Sequence, residues 1–229
     1  SKILRPDVGI ITNISYAHIE NFKNIKEIAS TKSEIIQNIK KNGYLVLNGD
    51  DHFYNFHKKM ALNIKLRIIT FSIKNKSSNI YLKSVKKENS KYKIFVKVDN
   101  LNKYFYFSTP YENDIKNLLA AIAVISIFKD IKKLDNNIFY KHQIPDGRGD
   151  ISNIKLLKKN FYLIDQSYNS NPMSMRSALK NFDMIKTKSS KKHLILGDML
   201  ELGKYAKKLH LKVVNDINKT SIINVNVFG

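Results

Sequence analysis

The sequence predicts an α/β protein with a parallel sheet, a group of antiparallel strands and a second, smaller α/β unit. Two observations lead to this fold class. β-Branched apolar runs alternate with helical patterns at both ends of the chain, and the runs between residues 79 and 110 alternate apolar with polar positions. With 229 residues, of which 43% are hydrophobic, the chain can bury a sizeable core. We therefore expect a soluble globular protein.

The N-terminal part of the chain contains three short apolar runs that read as buried strands. They are DVGIITNIS at 7–15, YLVLNGDD at 44–51 and LRIITFSI at 66–73. Between the first two, residues 24–43 carry isoleucines at helical spacing and end on a glycine. This β-α-β order predicts parallel strands.

The hydrophobic pattern changes in the middle of the chain. Residues 79–110 contain three alternating runs joined by turns, which favour an antiparallel meander. Residues 113–131 then form one long apolar run that predicts a buried helix. A stretch rich in proline and glycine follows, and we place a domain boundary near Pro145–Gly149.

After this boundary the alternation of strands and helices starts again. Strands are predicted at FYLID, HLILGD and NVNVFG, which begin at residues 161, 193 and 224. Helices are predicted over 173–186 and 204–218. The second unit thus has about three predicted strands.

Composition restricts the classes of partner. The 40 Lys+Arg against 19 Asp+Glu give a net charge of +21, which would suit a polyanion, but the lysines are spread along the whole chain. We expect no specific nucleic-acid binding. No apolar run is long enough to cross a membrane, and the N-terminal residues lack a signal peptide's apolar core, so we expect a cytoplasmic protein without a membrane partner.

Ligands of parallel α/β sheets gather where strands end and helices begin. In IDQSYNSNP, Pro172 suits a first helical turn and Asn171 suits its N-cap. Asn169 has no such role, and its amide could bind a ligand. Local turn hydrogen bonds of both asparagines are an equally good interpretation.

Lys32 lies four residues after Ile28 and three before Ile35, so the pattern places it on the apolar stripe of a helix. Desolvation would favour its neutral amine, which can add carbon dioxide or act as a base. A lysine whose stem packs on the core while its ammonium reaches water is the more common arrangement.

His18 could bind a metal or act as a base, although a single loop histidine usually does neither. Acidic pairs that could meet a cation, or merely form turns, are Asp50 with Asp51 and Asp198 with Glu201.

Seven motifs stand in one order along the chain: ITNISYAHIENF, ASTKSEI, LVLNGDD, NDIKNLLAAIA, DGR, IDQSYNSNPMSMRSAL and LGDMLELG. Together they resemble the Mur ligase family, and within it the branch that joins D-alanyl-D-alanine to UDP-N-acetylmuramoyl-tripeptide. The resemblance implies that residues 1–146 form the later part of the central ATP-binding domain. Residues 147–229 would form the first part of the Rossmann-like C-terminal domain. The chain would be a fragment that lacks the N-terminal domain and the phosphate-binding loop, and no G-x-x-x-x-G-K-[ST] loop occurs in it.

The activity that the resemblance implies is ATP-dependent ligation in peptidoglycan precursor synthesis, and hence in cell-wall biogenesis, cell shape and cell division. The γ-phosphoryl group of ATP would pass to the tripeptide carboxylate, and the amine of D-alanyl-D-alanine would attack the acyl phosphate. ATP and Mg²⁺ are the implied cofactors, and a monomer is implied. By the same resemblance His18 and Lys32, the latter as a carbamate, would hold magnesium and act in catalysis.

Six further residues match binding positions of the family. Asn113 and Asn117 match positions beside the adenine, and Arg148 matches a contact to the ATP phosphates. Asp165 lies in the segment that contacts the ribose. The substrate-facing positions are Asn169 and Asn171.

Alternative functions remain open at this point. Another Mur ligase or a relative of folylpolyglutamate synthase would share much of the fold. The isolated fragment could be inactive. A basic nucleic-acid-binding module would require lysines and aromatic residues interleaved on one face.

Overall fold

The computed structural model describes residues 4–141, 145–188 and 191–229. The chain divides into two compact units. The first comprises Ser1–Ile14 and Lys26–His142, and the second comprises Ser15–Ile25 and Gln143–Gly229. The domain limits expected from the sequence, 1–146 and 147–229, stay a prediction.

The first unit contains a mixed sheet whose strands follow one another in chain order within the described residues. Neighbouring strands are parallel from β1 to β4 and antiparallel from β4 to β6. The expected combination of a parallel sheet with an antiparallel meander is therefore confirmed. The strands are β1 Val8–Ile11, β2 Tyr44–Asn48, β3 Arg67–Ser72, β4 Ile80–Glu88, β5 Lys91–Val98 and β6 Leu101–Phe107.

Three α-helices belong to the described part of this unit: α1 Ile25–Asn38, α2 Tyr54–Asn63 and α3 Glu112–Phe128. The expected buried helix is confirmed as α3, whose residues Leu119 and Ile122 are fully buried. They pack in one hydrophobic cluster with Ile94 and Phe105 of the sheet. The short helix α2 was not expected, because its ten residues mix lysines with scattered apolar positions and no side chain caps its start.

The second unit contains β7 Asp150–Leu156, β8 Lys159–Asp165, α4 Pro172–Asp183, β9 His193–Leu196, α5 Ala206–Ile217 and β10 Asn224–Val227. β9 and β10 are parallel, as the alternation of strands and helices indicated.

The expectation of about three strands in this unit was wrong, because β7 is a further strand. It pairs with β8 as an antiparallel hairpin. The two linking residues, Leu157 and Lys158, both have positive φ, which is the backbone that a tight two-residue hairpin needs. Glycine and asparagine normally mark such a turn, so the pair Leu-Lys gave no signal in the sequence.

No helix in the described ranges is both long enough and apolar enough to cross a membrane.

Replacing Leu119 by alanine tests the packing of α3 on the sheet. Because this side chain is fully buried, we expect Leu119→Ala to lower the free energy of unfolding by about 2–5 kcal/mol. Phe128→Ala is the control at the exposed end of the same helix, and it should change stability by less than about 0.5 kcal/mol. Urea unfolding followed by circular dichroism measures both, and equal losses would contradict this packing.

Candidate functional site

The turn after β2 holds the segment that leaves β1. Asp51 accepts a hydrogen bond from the backbone N–H of Ile14 at 2.8 Å. Asn48 donates its side-chain amide to the carbonyl of Thr12 at 2.9 Å. Backbone groups just beyond a strand have no ladder partner, so side chains must satisfy them. The turn therefore fixes the path of residues 12–14 at the carboxyl end of the sheet.

Asp50 forms part of the same turn and contacts the end of β3. Its carboxylate accepts from the Ser72 hydroxyl at 2.6 Å and from the Ile73 N–H at 2.8 Å. Asp51 also accepts from the N–H of Phe53 at 2.8 Å. Both carboxylates thus serve turn chemistry, which is one of the two interpretations that the sequence left open.

Lys32 lies on α1 beside the segment that this turn holds. Its ammonium donates to the carbonyl of Asn13 at 3.1 Å. Desolvation by the surrounding protein lowers the pKa of the Lys32 amine, while the charge of Asp51 acts in the opposite direction. Lys32 and Asn13 also line a cavity of about 260 Å³.

The position of Lys32 on the helix differs from the expectation. The buried residues of α1 are Ile28, Ala29, Ser33 and Ile36, while Lys32 as a whole is exposed. It therefore lies at the edge of the apolar stripe rather than on it. Its stem flanks the apolar positions and its amine reaches the polar end of the sheet.

His18 lies in the loop that follows residues 12–14 and belongs to the second unit. Its Nδ1 contacts the carboxylate of Glu201. His18 is followed by a single 3₁₀ turn over Ile19–Asn21, and its own backbone is left-handed with φ 57°. Glu201 itself has φ 60°.

Asn113 and Asn117 lie four residues apart on the first turns of α3 and so share one helix face. Asn113 is half-buried and Asn117 is exposed. Neither side chain forms a hydrogen bond with any residue in the described ranges, so both amides are available for a ligand.

Arg148 lies in a turn that is bonded to the loop after β8. The N–H of Gly149 donates to the carbonyl of Asp165 at 2.6 Å, and the N–H of Tyr168 donates to the carbonyl of Gly147 at 3.2 Å. The guanidinium of Arg148 stacks over the Tyr168 ring, 4.5 Å from its centre. The structure therefore brings together Arg148 and Asp165, which are 17 positions apart in the printed sequence.

Gly147 has a conformation that this turn requires. Its φ is 70°, and an added Cβ would lie 2.9 Å from the Cβ of Tyr168. The carboxylate of Asp165 accepts hydrogen bonds from Ser167, which lower its pKa. Asp165 therefore remains an anion well into acidic solution.

Asn171 caps α4, as the sequence predicted. Its side chain accepts from the N–H groups of Met173 and Ser174, both at 3.1 Å, and the Ser174 hydroxyl accepts from the N–H of Asn171 at 2.9 Å. Pro172 is the first helical residue. This reciprocal arrangement is a capping box.

Asn169 has a different environment. It is exposed, and its side chain has no hydrogen-bond partner among the residues that the structure describes. The interpretation that both asparagines only form local hydrogen bonds therefore holds for Asn171 alone. The amide of Asn169 is free to bind a ligand at the end of β8.

Comparison with known proteins identifies the family. Residues 1–125 match the model of the Mur ligase middle domain. The whole chain is 32% identical to the UDP-N-acetylmuramoyl-tripeptide–D-alanyl-D-alanine ligase of Buchnera aphidicola subsp. Baizongia pistaciae, and it covers 48% of that protein. The chain belongs to the Mur ligase family.

Solved structures show the same fold. A MurF from Acinetobacter baumannii superimposes with a TM-score of 0.86 at 22% identity, over 100% of this chain and 48% of that one. A MurF ligase from Thermotoga maritima, solved in complex with ADP, gives 0.82 at 23% identity, over 99% of this chain and 49% of that one. The Mur ligase chain described here therefore spans about half the length of the relatives that it matches.

Two side chains in this Mur ligase chain were not expected to pair with site residues. The sequence presents Glu201 only as part of an acidic pair, and it gives no sign that the Tyr168 ring lies under the Arg148 guanidinium. The LGDMLELG and Tyr-Asn-x-Asn-Pro motifs pointed to these loops. However, pattern alone does not show which residues of distant loops touch.

The two asparagines allow a matched test of structure against ligand binding. Because Asn171 caps α4, we expect Asn171→Ala to lower the free energy of unfolding by about 1 kcal/mol. Asn169→Ala should leave stability within about 0.5 kcal/mol of the parent. Thermal and urea unfolding of both variants check this, and an equal loss in both would show that Asn169 also serves the fold.

Proposed function

We propose that the protein carrying this chain is an ATP-dependent ligase that joins D-alanyl-D-alanine to UDP-N-acetylmuramoyl-tripeptide. The observation that carries this proposal is the similarity to the Buchnera ligase of that name over the whole chain. Its product places the reaction in peptidoglycan precursor synthesis. We further propose that the protein acts as a cytoplasmic monomer, needing neither a membrane nor a nucleic acid.

The reaction proposed is activation of a carboxylate followed by attack of an amine. The terminal carboxylate of the tripeptide takes the γ-phosphoryl group of ATP, and ADP leaves. The amine of D-alanyl-D-alanine attacks the acyl phosphate, and the tetrahedral intermediate expels phosphate as the amide forms. In the first step one anion attacks another, and in the second a neutral amine attacks and negative charge develops on the tetrahedral intermediate. The protein must therefore supply positive charge and hydrogen-bond donors.

We assign Arg148 and Asp165 to the nucleotide. Arg148 is exposed and its guanidinium lies over the Tyr168 ring, where its N–H groups can bind phosphate oxygens. The ionised Asp165 carboxylate suits the hydroxyls of a ribose, because it can accept two hydrogen bonds. The neutral amides of Asn113 and Asn117 suit the polar edge of an adenine.

We assign Asn169 to the acceptor substrate and Asn171 to both the acceptor loop and the helix. Asn169 can donate and accept with a peptide group, and no described protein group uses its amide. Asn171 already uses its side-chain oxygen for the cap, so only its NH₂ group remains for a substrate carbonyl.

The donor set of the chain fits a magnesium ion that also binds phosphate. Within the described ranges no three His, Asp or Glu side chains cluster in a way that could enclose a metal. Magnesium typically takes one or two protein donors and completes its shell with water and substrate phosphates. We propose that His18 and carbamylated Lys32 each serve as a magnesium ligand. When bound, the ion would offset the charge of phosphate and carboxylate.

The alternative of a nucleic-acid module meets a specific obstacle. Lysines and aromatic rings do alternate on β5 and β6, but the lysines lie on the rings. The Nζ of Lys91 is 3.6 Å from the centre of the Tyr106 ring, and that of Lys93 is 4.1 Å from that of Tyr104. These ring faces are therefore covered and not open for stacking of bases.

An activity assay tests the proposed function. The complete protein that carries this chain in its source should release phosphate from ATP only when UDP-N-acetylmuramoyl-tripeptide and D-alanyl-D-alanine are both present. Arg148→Ala should lower kcat/KM by about 100-fold, because it removes a cationic donor at the phosphates. Lys155→Ala removes an exposed cation of the adjoining β7–β8 hairpin and should not change the rate. Phosphate release that does not depend on D-alanyl-D-alanine would refute the proposal.

Carbamylation of Lys32 has its own measurement. Since desolvation lowers its pKa, the amine loses its proton at a lower pH than an ordinary lysine and should add carbon dioxide there. We expect ¹³C NMR with ¹³C-bicarbonate to show a carbamate signal that appears as pH rises through this lowered value. Lys32→Arg should remove the signal, and Lys207→Arg, at an exposed helix position, should keep it. The same spectrum from the parent and Lys32→Arg would exclude the carbamate.

A further inference from the structure

We propose that Glu201 is a positioning residue for His18, which it holds with Nδ1 protonated and Nε2 directed to a metal ion. The metal part of this inference rests on the proposed function, whereas the contact and the protonation pattern do not. The sequence pattern presents Glu201 only as one of an acidic pair that could meet a cation or form a turn, and the family resemblance assigns it no individual role.

The contact belongs to a pair of loops that are tied together within the second unit. The N–H of Glu20 donates to the carbonyl of Glu201 at 3.1 Å. The hydroxyl of Tyr205 donates to the carbonyl of Lys23 at 2.6 Å. In chain order Glu20 and Lys23 both follow His18, and Tyr205 follows Glu201. The loop backbones are therefore tied together immediately beyond the contact, which does not depend on two exposed side chains alone.

Packing adds to these hydrogen bonds. Ile19 is fully buried and Leu202 is 2% exposed, and each is the direct neighbour of one partner of the contact. Gly203 lies against Glu20, where an added Cβ would come within 2.9 Å of the Glu20 Cβ. The backbones of the two loops are therefore held in place where His18 and Glu201 meet.

Both partners adopt a backbone conformation that is uncommon for their residue types. His18 has φ 57° and Glu201 has φ 60°. A left-handed conformation costs a residue with a side chain about 1 kcal/mol, which glycine would avoid. Strain of this kind persists where the surrounding structure enforces it, and it is concentrated at functional sites.

The chemistry of the contact determines the tautomer of His18. An ionised carboxylate can only accept hydrogen bonds, so the proton between Glu201 and His18 belongs to Nδ1. In the neutral ring Nε2 then has a lone pair that can bind a metal. A carboxylate behind a metal-binding histidine also fixes the orientation of the ring. Glu201 therefore sets both the tautomer and the orientation of the His18 ring.

The first arm of the test measures the tautomer. Two-dimensional ¹H–¹⁵N NMR of the 229-residue chain distinguishes protonated from unprotonated ring nitrogens, and His18→Gln assigns the His18 signals. We expect Nδ1–H in the parent chain and in Glu201→Gln, whose amide oxygen can still accept. Glu201→Ala should lose this preference. Alanine and glutamate both pay the cost of a left-handed backbone at position 201. A difference in the His18 tautomer between the parent and Glu201→Ala therefore reports the loss of the carboxylate.

The second arm measures metal binding with Mn²⁺ as the probe. Paramagnetic broadening of the His18 ring signals should require about 10- to 100-fold more Mn²⁺ in Glu201→Ala than in the parent. Glu201→Gln should lie between them, because it keeps the hydrogen bond and loses the charge. Glu20→Gln is the matched control, since it changes an exposed carboxylate of the same loop pair and should behave as the parent.

The possible results separate this inference from the proposed function. Nε2–H in the parent chain, or the same tautomer in the parent and Glu201→Ala, would overturn the positioning role whatever the enzyme does. Equal Mn²⁺ response in the parent and Glu201→Ala would overturn the metal part. A failed ligase assay beside an intact Nδ1–H tautomer would count against the proposed reaction and leave the contact standing.

Discussion

The carboxylate turn after β2 is the constraint on which the first unit's polar edge depends. Beyond its last ladder pair, β1 leaves N–H and carbonyl groups that no neighbouring strand can satisfy. Asp51 and Asn48 satisfy them at Ile14 and Thr12, and the carbonyl of Asn13 is thereby left facing Lys32. The position of the Lys32 amine therefore depends on backbone hydrogen bonds that the turn after the neighbouring strand β2 makes.

In the second unit, two loops stabilise each other by a backbone hydrogen bond and by packing. The backbone bond between Glu20 and Glu201, and the buried neighbours Ile19 and Leu202, hold left-handed residues that would not adopt this conformation alone. Loops that carry chemistry at strand ends need such support, because loop backbone is otherwise mobile.

Much of the fold could be predicted from local pattern. The isoleucine spacing of α1, the alternating runs of β4 to β6 and the long apolar run of α3 each matched their element. Elements with weak local signals were missed, namely the mixed helix α2 and the strand β7, whose hairpin turn has neither glycine nor asparagine. For the site, local chemistry singled out Lys32, His18 and Asn169 as candidates and predicted the cap at Asn171. The family resemblance alone supplied Arg148, Asp165, Asn113 and Asn117.

The sequence by itself determined the order of strands and helices, the N-cap at Asn171 and the membership of the Mur ligase family, because these follow from neighbours within a few positions or from motif order. Tertiary structure alone decided that Lys32 lies at the edge of its stripe and that Arg148 lies on Tyr168. It also decided that His18 meets Glu201, 183 residues further along the chain. Side-chain periodicity reports which face of an element is apolar, whereas contacts between loops depend on how the packed elements place their ends.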